Sequence, residues 1–419
     1  MNLRNERGHR VVITGIGTVN PIGLTTDDFW TNLLAGTSGV GPITQFDASA
    51  LPVQIAAEVK GFDPRNFMDP KAARRMSRFA QFSVAASGMA LNDAGFTVTE
   101  ANAYDVGAMI ATGGGGVGTV MEETEVLLTQ GADRVNPLFV PSMISNMASC
   151  QVSITYGIKG PVTTNIAACA AGIAAYFEAI HYLRRGDISV ALAGGTESAI
   201  LPLSFISLGR IGALSRRNDD PTHASRPFDR DRAGFVFGEG AGVMVLETAE
   251  HAIGRGARIY AELAGAASTS DAYHITAPEP TGESAARAMN GALRDAGVSP
   301  SEVDYICAHG TGTPLNDVSE TRAIKKVYGE AAYRVSISSP KSMVGHLLGA
   351  AGGISAIAAT KAIYHNIVPP TSNLENADPE CDLDYTPLIA RERQVNVAMA
   401  NGFGFGGQNA VIVLRKFEA

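Results

Sequence analysis

Three residues of this sequence combine a reactive side chain with a local setting suited to nucleophilic catalysis. Cys169 lies between a β-like stretch at 162–164 and an alanine-rich helical run that reaches Arg185. A thiol at a helix N-terminus meets the positive end of the helix dipole, which favours the thiolate and therefore nucleophilic attack. We therefore predict that Cys169 is a nucleophile and that its position favours the thiolate.

Two histidines follow apolar, strand-like runs. His309 comes after 303–308 and opens the sequence His-Gly-Thr-Gly-Thr, and His346 comes after 335–339 and closes Lys-Ser-Met-Val-Gly-His. Catalytic groups of α/β proteins commonly lie at the carboxyl ends of strands. Five further histidines lie in polar or helical segments without a glycine-rich turn, which favours core or surface positions for His9, His181, His223, His251 and His365.

Composition limits the classes of function. The chain has 419 residues, of which 45% are hydrophobic and 18% charged, so we expect a well-packed protein. The net charge of -8 argues against nucleic acid or membrane partners over the whole surface, so an acidic partner would need a local basic patch. The four scattered cysteines include no C-x-x-C pair, which argues against a zinc site or a disulfide framework and for a reducing compartment. Lacking an apolar stretch of signal-peptide or membrane-spanning type, the sequence predicts a cytoplasmic enzyme.

Short apolar runs bounded by glycine alternate with amphipathic segments, which predicts an α/β fold. We expect strands at 11–17, 106–112, 189–193, 259–265, 303–308, 335–338, 395–401 and 410–414, and helices at 26–35, 79–94, 283–296, 317–328 and 353–364. The rhythm repeats in the second part of the chain, which suggests two related halves, 1–255 and 256–419, although no repeat is visible letter by letter.

Four ordered motifs carry a resemblance to a known family. They are Cys169, His-Gly-Thr-Gly-Thr-Pro at 309–314, Lys-Ser-Met-Val-Gly-His at 341–346 and Asn-Gly-Phe-Gly-Phe-Gly-Gly at 401–407. Together they resemble the β-ketoacyl-acyl-carrier-protein synthases of the thiolase superfamily, and most closely the elongating synthase II type. The resemblance extends nearly from end to end and includes the segments 225–229, 235–242 and 270–274.

This resemblance implies a five-layered αβαβα thiolase fold built from two related halves, in a homodimer. It implies a decarboxylative Claisen condensation in fatty acid elongation, without metal or organic cofactor. Cys169 would accept an acyl chain from acyl carrier protein, and malonyl carrier protein would then lose carbon dioxide and attack the thioester. His309 and His346, as neutral hydrogen-bond donors, would stabilise the enolate oxygen. The N–H groups of Cys169 and Phe405 would hold the oxyanion of acyl transfer.

The resemblance also assigns supporting residues. Lys341 matches the family lysine and is expected to pair with Glu320 as electrostatic support. Thr276, Thr311 and Thr313 match positions that hydrogen-bond the pantetheine arm, and Phe405 matches the aromatic gate between the malonyl side and the acyl pocket. Gly114 and Leu208 match positions that line the acyl pocket, where relatives often carry bulkier residues, so we expect a longer or wider cavity. The sequence departs from the common pattern at Gly312, Pro340, Gly402 and Gln408.

A basic cluster suggests where the carrier protein binds. Lys71, Arg74, Arg75 and Arg78 follow the spacing i, i+3, i+4 and i+7, which predicts one face of a helix. The family resemblance assigns carrier binding to Lys71, Arg74 and Arg75, whereas a solvated helix face is the alternative.

Three other functions share part of this pattern. A polyketide or specialised-lipid ketosynthase would carry the same reacting residues. A non-catalytic chain-length-factor subunit typically lacks the cysteine, and a degradative thiolase would carry a second catalytic cysteine near the C-terminus, where this chain has 401–403.

Overall fold

A ten-stranded sheet dominates the computed structural model, which describes residues 4, 5 and 8–418. Its strands are β1 (Val11–Val19), β2 (Val106–Ala111), β3 (Val162–Thr163), β4 (Val190–Glu197), β5 (Gly240–Thr248), β6 (Ala261–Ser270), β7 (Tyr305–Cys307), β8 (Ser336–Ser338), β9 (Val397–Gly404) and β10 (Gln408–Arg415). Three pairs of two-residue strands flank it: Arg4–Asn5 with Gly8–His9, Gly41–Pro42 with Ile55–Ala56, and Ile367–Val368 with Arg391–Glu392.

The helices alternate with these strands. They are α1 (Thr26–Leu34), α2 (Pro70–Ala73), α3 (Arg78–Asp93), α4 (Val117–Gln130), α5 (Phe139–Met143), α6 (Met147–Tyr156), α7 (Ala171–Arg185), α8 (Pro202–Arg210), α9 (Ala249–Gly254), α10 (Glu283–Ala296), α11 (Pro314–Tyr328), α12 (Lys341–Val344) and α13 (Ala351–His365). Within the described residues, no helix has the length and apolar character needed to cross a membrane.

The two halves of the chain each contribute a half-sheet of five strands, and the two half-sheets have the same topology. The strand order is β8-β7-β9-β10-β6-β1-β5-β4-β2-β3, so each half contributes five strands in equivalent order. In each half the outer three strands are parallel and the inner two pairings are antiparallel. The halves meet where Ala261 and Glu262 of β6 pair with Ile13 and Val12 of β1.

Three hydrophobic cores lie between the packed layers of helices and half-sheets. Helices α3 and α6 cover the outer face of the first half-sheet, and α10 and α11 cover the outer face of the second. Between the half-sheets lie α7 and α13, which pack against strands of both halves. The order helix, sheet, helix, sheet, helix is the five-layered α/β arrangement that the resemblance implied.

Most predicted elements are present, and the exceptions have physical causes. The helix at 283–296 matches α10, while strands predicted from apolar runs differ by a few residues at their ends. Strand β5 was not predicted because its glycines interrupt the apolar pattern. Helices α4 and α6 were also missed; α4 buries none of its residues in this chain and so lacks an apolar stripe facing the core.

The predicted basic helix face at 71–78 is wrong. Helix α2 ends at Ala73, and α3 begins at Arg78 after a turn, so the four basic residues do not share one helix. The Arg78 guanidinium instead binds the buried carboxylate of Glu239 at 2.7 Å. Lys71, Arg74 and Arg75 remain exposed.

Candidate active site

Cys169 lies in a tight turn at the start of a central helix. Residues Ala168–Ala170 form a 3₁₀ turn after β3, and α7 continues from Ala171. The preceding residue, Ala168, has a φ of 46°, a left-handed conformation that is strained for a residue with a Cβ. The Cys169 side chain is buried and forms part of a cavity wall. The prediction that Cys169 lies at the start of a helix is therefore confirmed.

The expected thiolate is not the resting form of this residue. Burial, with a smaller contribution from the Glu197 carboxylate, raises the pKa of the Cys169 thiol to about 11. The Lys341 ammonium and the main-chain N–H groups of Phe405 and Cys169 oppose this rise. Desolvation thus outweighs the groups that stabilise the thiolate, and the neutral thiol is the favoured form of Cys169 at neutral pH.

His309 follows β7 and is positioned through its main chain. The Glu320 carboxylate accepts hydrogen bonds from the N–H groups of His309 and Gly310, each at 2.8 Å, and from the Asn401 side chain at 2.9 Å. A Cβ at Gly310 would lie 2.7 Å from the Ser339 Cβ, and its φ is 35°, so this close turn requires glycine. Glu320 therefore fixes the turn that presents the imidazole.

His346 is held by a separate segment. Its N–H donates to the Val236 carbonyl at 2.7 Å, and its carbonyl accepts from the Gly238 N–H at 2.9 Å. The rings of His346 and His309 meet edge to face with centroids 5.4 Å apart. Although the two histidines come from different loops, the fold brings them together beside one cavity, as the sequence analysis predicted.

Both imidazoles are neutral. Burial holds the pKa of His309 and of His346 well below the usual 6.5, and the positive charge of Lys341 lowers both further. Within 8–418, the Nδ1 atoms of the two rings have no hydrogen-bond partner. A neutral imidazole has one N–H donor, so each ring is able to stabilise a developing oxyanion without first gaining a proton.

Lys341 does not form the expected close ion pair. It is the first residue of α12 and is almost completely buried, yet no carboxylate oxygen of the described chain lies within 4.0 Å of its ammonium group. Burial lowers the pKa of Lys341, while Glu320 and the thiols of Cys307 and Cys169 act in the opposite direction. The relation between Lys341 and Glu320 is therefore electrostatic at longer range, because Glu320 is occupied by main-chain donors.

A cavity of about 330 Å³ joins the reacting groups to the surface. The predicted site residues that line it are Cys169, His309, His346, Glu320, Phe405, Thr276, Thr311 and Thr313. The Thr311 and Thr313 hydroxyl oxygens lie 2.9 Å apart on one wall, and the Thr313 oxygen also caps the N-terminus of α11. Lys341 is outside the lining.

Gly114 and Leu208 do not line this cavity. Gly114 donates its N–H toward Glu197, and Leu208 packs against the hydrophobic cluster around Phe205. Their assignment to an acyl pocket therefore stays a prediction.

The loop that carries Phe405 is tied to the loop before Thr276 by two residues that the sequence analysis did not assign to the site, Asp271 and Asn409. Asn409 donates to the Asp271 carboxylate at 2.7 Å, and the Gly406 N–H donates to the Ile275 carbonyl at 2.8 Å. Asp271 and Asn409 both line the cavity. Asp271 lies in the family-like segment 270–274, and this resemblance was the only feature of the sequence that pointed to a place for Asp271 near the site.

Across the described residues, no cluster of three potential metal ligands was found.

Family models match both halves of the chain. "Beta-ketoacyl synthase, N-terminal domain" matches residues 8–252, and "Beta-ketoacyl synthase, C-terminal domain" matches residues 260–375. The chain belongs to the β-ketoacyl synthase family, and its architecture is that of the thiolase-fold ketosynthases.

Curated relatives match over the full length. The 3-oxoacyl-[acyl-carrier-protein] synthase 2 of Synechocystis sp. is 50% identical over 99% of this chain and 100% of its own, and that of Coxiella burnetii is 48% identical over 97% and 98%. Among solved structures, the ishigamide ketosynthase/chain length factor has a TM-score of 0.91 at 37% identity, covering 98% of this chain and all of that chain. A type II PKS ketosynthase in complex with its acyl-carrier protein has a TM-score of 0.89 at 36% identity, with the same coverage.

The neutral resting thiol gives a testable pH dependence. Because the thiolate is the nucleophile, alkylation of Cys169 by iodoacetamide should accelerate as pH rises and should not level off below about pH 10. The rate is measured by mass spectrometry of the peptide that contains Cys169, with Cys169→Ser as the control for background labelling. A plateau already reached at pH 7 would show an activated resting thiolate and contradict this prediction.

Proposed function

We propose that this protein condenses a Cys169-bound acyl chain with malonyl carrier protein to give 3-oxoacyl carrier protein and carbon dioxide, in fatty acid elongation. The observation that carries the proposal is the convergence of one buried thiol and two neutral imidazoles on a single cavity. The names of full-length relatives at 46–50% identity support the same reaction.

Acyl transfer is the first step. The Cys169 sulfur attacks the thioester carbonyl of the acyl carrier protein, the bond from carbon to the pantetheine sulfur breaks, and the thiol proton leaves with that sulfur. The main-chain N–H groups of Cys169 and Phe405 both lower the pKa of the Cys169 thiol, as donors near its sulfur do. They are thus close to the carbonyl oxygen that becomes negative during attack, which is the role of an oxyanion hole.

Condensation is the second step. The malonyl carboxylate leaves as carbon dioxide, its bonding electrons form an enolate, and the enolate carbon attacks the Cys169 thioester. Cys169 leaves as a thiolate and takes up a proton, which restores the neutral resting thiol. His309 and His346 donate hydrogen bonds to the enolate oxygen, and the burial of both side chains strengthens these bonds.

The chain offers groups suited to the substrate arm and to its carrier protein. Thr276, Thr311 and Thr313 offer hydroxyl groups along the wall, where a pantetheine arm needs donors and acceptors. Lys71, Arg74 and Arg75 supply an exposed basic surface on a protein of net charge -8, which suits an acidic carrier protein. The solved complex of a ketosynthase with its acyl-carrier protein supports a partner of this kind.

The chain also presents surfaces suited to a homodimer. Strand β3 is an open edge of the sheet, and α4 buries none of its side chains in this chain. Large exposed hydrophobic residues accompany them, namely Leu127, Leu128, Val140, Ile154, Leu203 and Ile206. Exposed apolar surface of this extent is typical of a subunit interface.

We also propose that the subunit divides into two halves, with the boundary between residues 255 and 256. The repeated strand order supports this division.

A polyketide ketosynthase is the second candidate. Structures of that class match at 36–37% identity, and they would use the same cysteine and histidines. The higher identity of the 3-oxoacyl-[acyl-carrier-protein] synthase 2 relatives favours fatty acid elongation. A non-catalytic chain-length factor is disfavoured because Cys169 and both histidines are present and converge.

The role of the histidines predicts a defect in decarboxylation. His309→Ala and His346→Ala should each reduce carbon dioxide release from malonyl carrier protein by on the order of 100-fold, because each removes a donor to the enolate oxygen. Acyl transfer to Cys169, followed by mass spectrometry, should be less affected. His181→Ala, which changes a histidine of α7 outside the cavity lining, is the matched control. Release at the parent rate in both cavity variants would rule out this role.

The basic surface predicts a salt-dependent binding defect. Arg74→Glu should raise KM for carrier-bound substrates, most strongly at low salt, because it places negative charge opposite an acidic partner. Steady-state kinetics at graded salt concentrations test this, with Lys416→Glu as a charge reversal at another exposed position. If Arg74→Glu and Lys416→Glu behaved alike, the cluster would be an ordinary solvated surface.

The acyl-pocket assignment predicts a change in chain-length preference. Gly114 has ordinary backbone angles, and a Cβ there would lie 3.4 Å from a Glu197 oxygen and 3.7 Å from Val117, so a side chain is tolerable at its base. Gly114→Ile should suppress long acyl primers more than short ones, since each methylene that loses its contact costs about 0.8 kcal/mol. Condensation assays with primers of graded length measure this, and thermal unfolding checks the fold. Equal loss for all primers would contradict a role in chain-length selection.

A further inference from the structure

A buried carboxylate behind the nucleophile has no part in the reaction described above. Glu197 ends strand β4 and has no solvent exposure. Its Oε2 accepts hydrogen bonds from the Gly113 N–H at 2.8 Å and the Gly349 N–H at 3.1 Å, and the Gly114 N–H lies 3.3 Å from both oxygens. One side chain therefore joins the glycine run after β2 to the turn at Leu348–Ala350, which lies far away in sequence.

The turn held by Glu197 is strained and directly follows His346. Leu348 has a φ of 43°, which a non-glycine residue keeps only where its surroundings enforce it. A Cβ at Gly195 would lie 2.1 Å from the Gly349 carbonyl oxygen, and one at Gly172 would lie 2.9 Å from it. The turn is thus packed between Gly195 near the end of β4 and Gly172 in the first turn of α7, three residues after Cys169.

The same arrangement occurs a second time with the halves exchanged. The turn Ala168–Ala170 precedes α7 as the turn Leu348–Ala350 precedes α13, and each begins with a non-glycine residue of positive φ. The end of β9, the counterpart of β4, packs against the Cys169 turn, since a Cβ at Gly404 would lie 2.7 Å from the Ala167 carbonyl oxygen. Each half therefore supports the catalytic turn of the other half, and in one case the support is a charged side chain.

We propose that Glu197 is a positioning residue for the condensation: its carboxylate holds the strained turn after His346 against the glycine run and against helix α7, which follows the Cys169 turn. This inference rests on the proposed function, because the reaction supplies one of its readouts. Without the carboxylate, the Gly349 and Gly113 N–H groups lose their common acceptor, and the turn is free to relax and carry His346 away from the Cys169 sulfur.

The charge of Glu197 acts on the pKa of the Cys169 thiol, an effect that a purely structural role would not produce. Glu197 raises the pKa of the Cys169 thiol, while Lys341 lowers it; the imidazoles of His309 and His346 are neutral, and Glu320 acts on Lys341. Burial raises the pKa of Glu197 itself to about 7, against the effect of its N–H donors. At the alkaline pH where Cys169 titrates, Glu197 is therefore ionised, and its neutralisation must make the thiol more acidic.

Two substitutions separate position from charge. Glu197→Gln removes the charge and turns one acceptor into an NH₂ group that faces N–H donors, so it should slow decarboxylation of malonyl carrier protein by roughly 100-fold. It should also shift the pH midpoint of Cys169 alkylation downward by about one pH unit. Glu197→Asp keeps the charge but withdraws the oxygens by one methylene, so it should slow decarboxylation while leaving the alkylation midpoint near that of the parent.

Glu247→Gln is the matched control. Glu247 is equally buried and lies at the opposite end of the same strand pair, since Val190 pairs with Glu247 and Glu197 with Gly240. The Glu247→Gln variant should be less stable in thermal unfolding, but the pH midpoint of Cys169 alkylation should not change.

The outcomes distinguish this inference from the proposed function. Parent-like decarboxylation and a parent-like alkylation midpoint in folded Glu197→Gln would overturn the inference. If Glu197→Gln does not fold, parent-like decarboxylation in Glu197→Asp would overturn it instead. If the parent protein itself releases no carbon dioxide from malonyl carrier protein, the proposed function fails, and the alkylation midpoints still decide whether Glu197 acts on Cys169.

Discussion

Desolvation of the reacting groups is the constraint on which the rest of the site depends. Cys169, His309, His346 and Lys341 are all buried, and burial favours the neutral form of each. A charged imidazole would be a poor match for the proposed enolate stabilisation in a site that already contains Lys341. The low local dielectric also strengthens the hydrogen bonds that a developing oxyanion receives. The chemistry is thus set by where the side chains lie more than by their intrinsic acidity.

The repeated half explains how one chain brings such groups together. Cys169 follows β3 and His346 follows β8, and these strands occupy equivalent places in the two halves of the sheet. Both residues precede a 3₁₀ turn or lie in one, and both turns lead into the central helices α7 and α13. Because the central helices pack against both half-sheets, the two turns face each other across the middle layer.

The sequence predicted this site better than it predicted the supports around it. Cys169, His309 and His346 carry local signals, namely reactive side chains beside glycine-rich turns at strand ends. The separation of Arg78 from the other basic residues depends on a tertiary partner, Glu239, which no spacing rule could reveal. The expectation of a resting thiolate at Cys169 fails for a related reason. A helix start is visible in sequence, whereas the depth at which it is buried is a property of the whole fold.

The opposition of Lys341 and Glu197 clarifies why a neutral thiol is compatible with the proposed chemistry. In acyl transfer the thiol proton is needed by the departing pantetheine sulfur, so a permanent thiolate would have to recruit that proton from elsewhere. During condensation Cys169 must leave as a thiolate, and Lys341 together with the N–H groups of Phe405 and Cys169 stabilises that charge briefly. Glu197 and burial then favour its return to the neutral thiol. The opposing charges thus favour the neutral thiol at rest and still stabilise the thiolate while it is the leaving group.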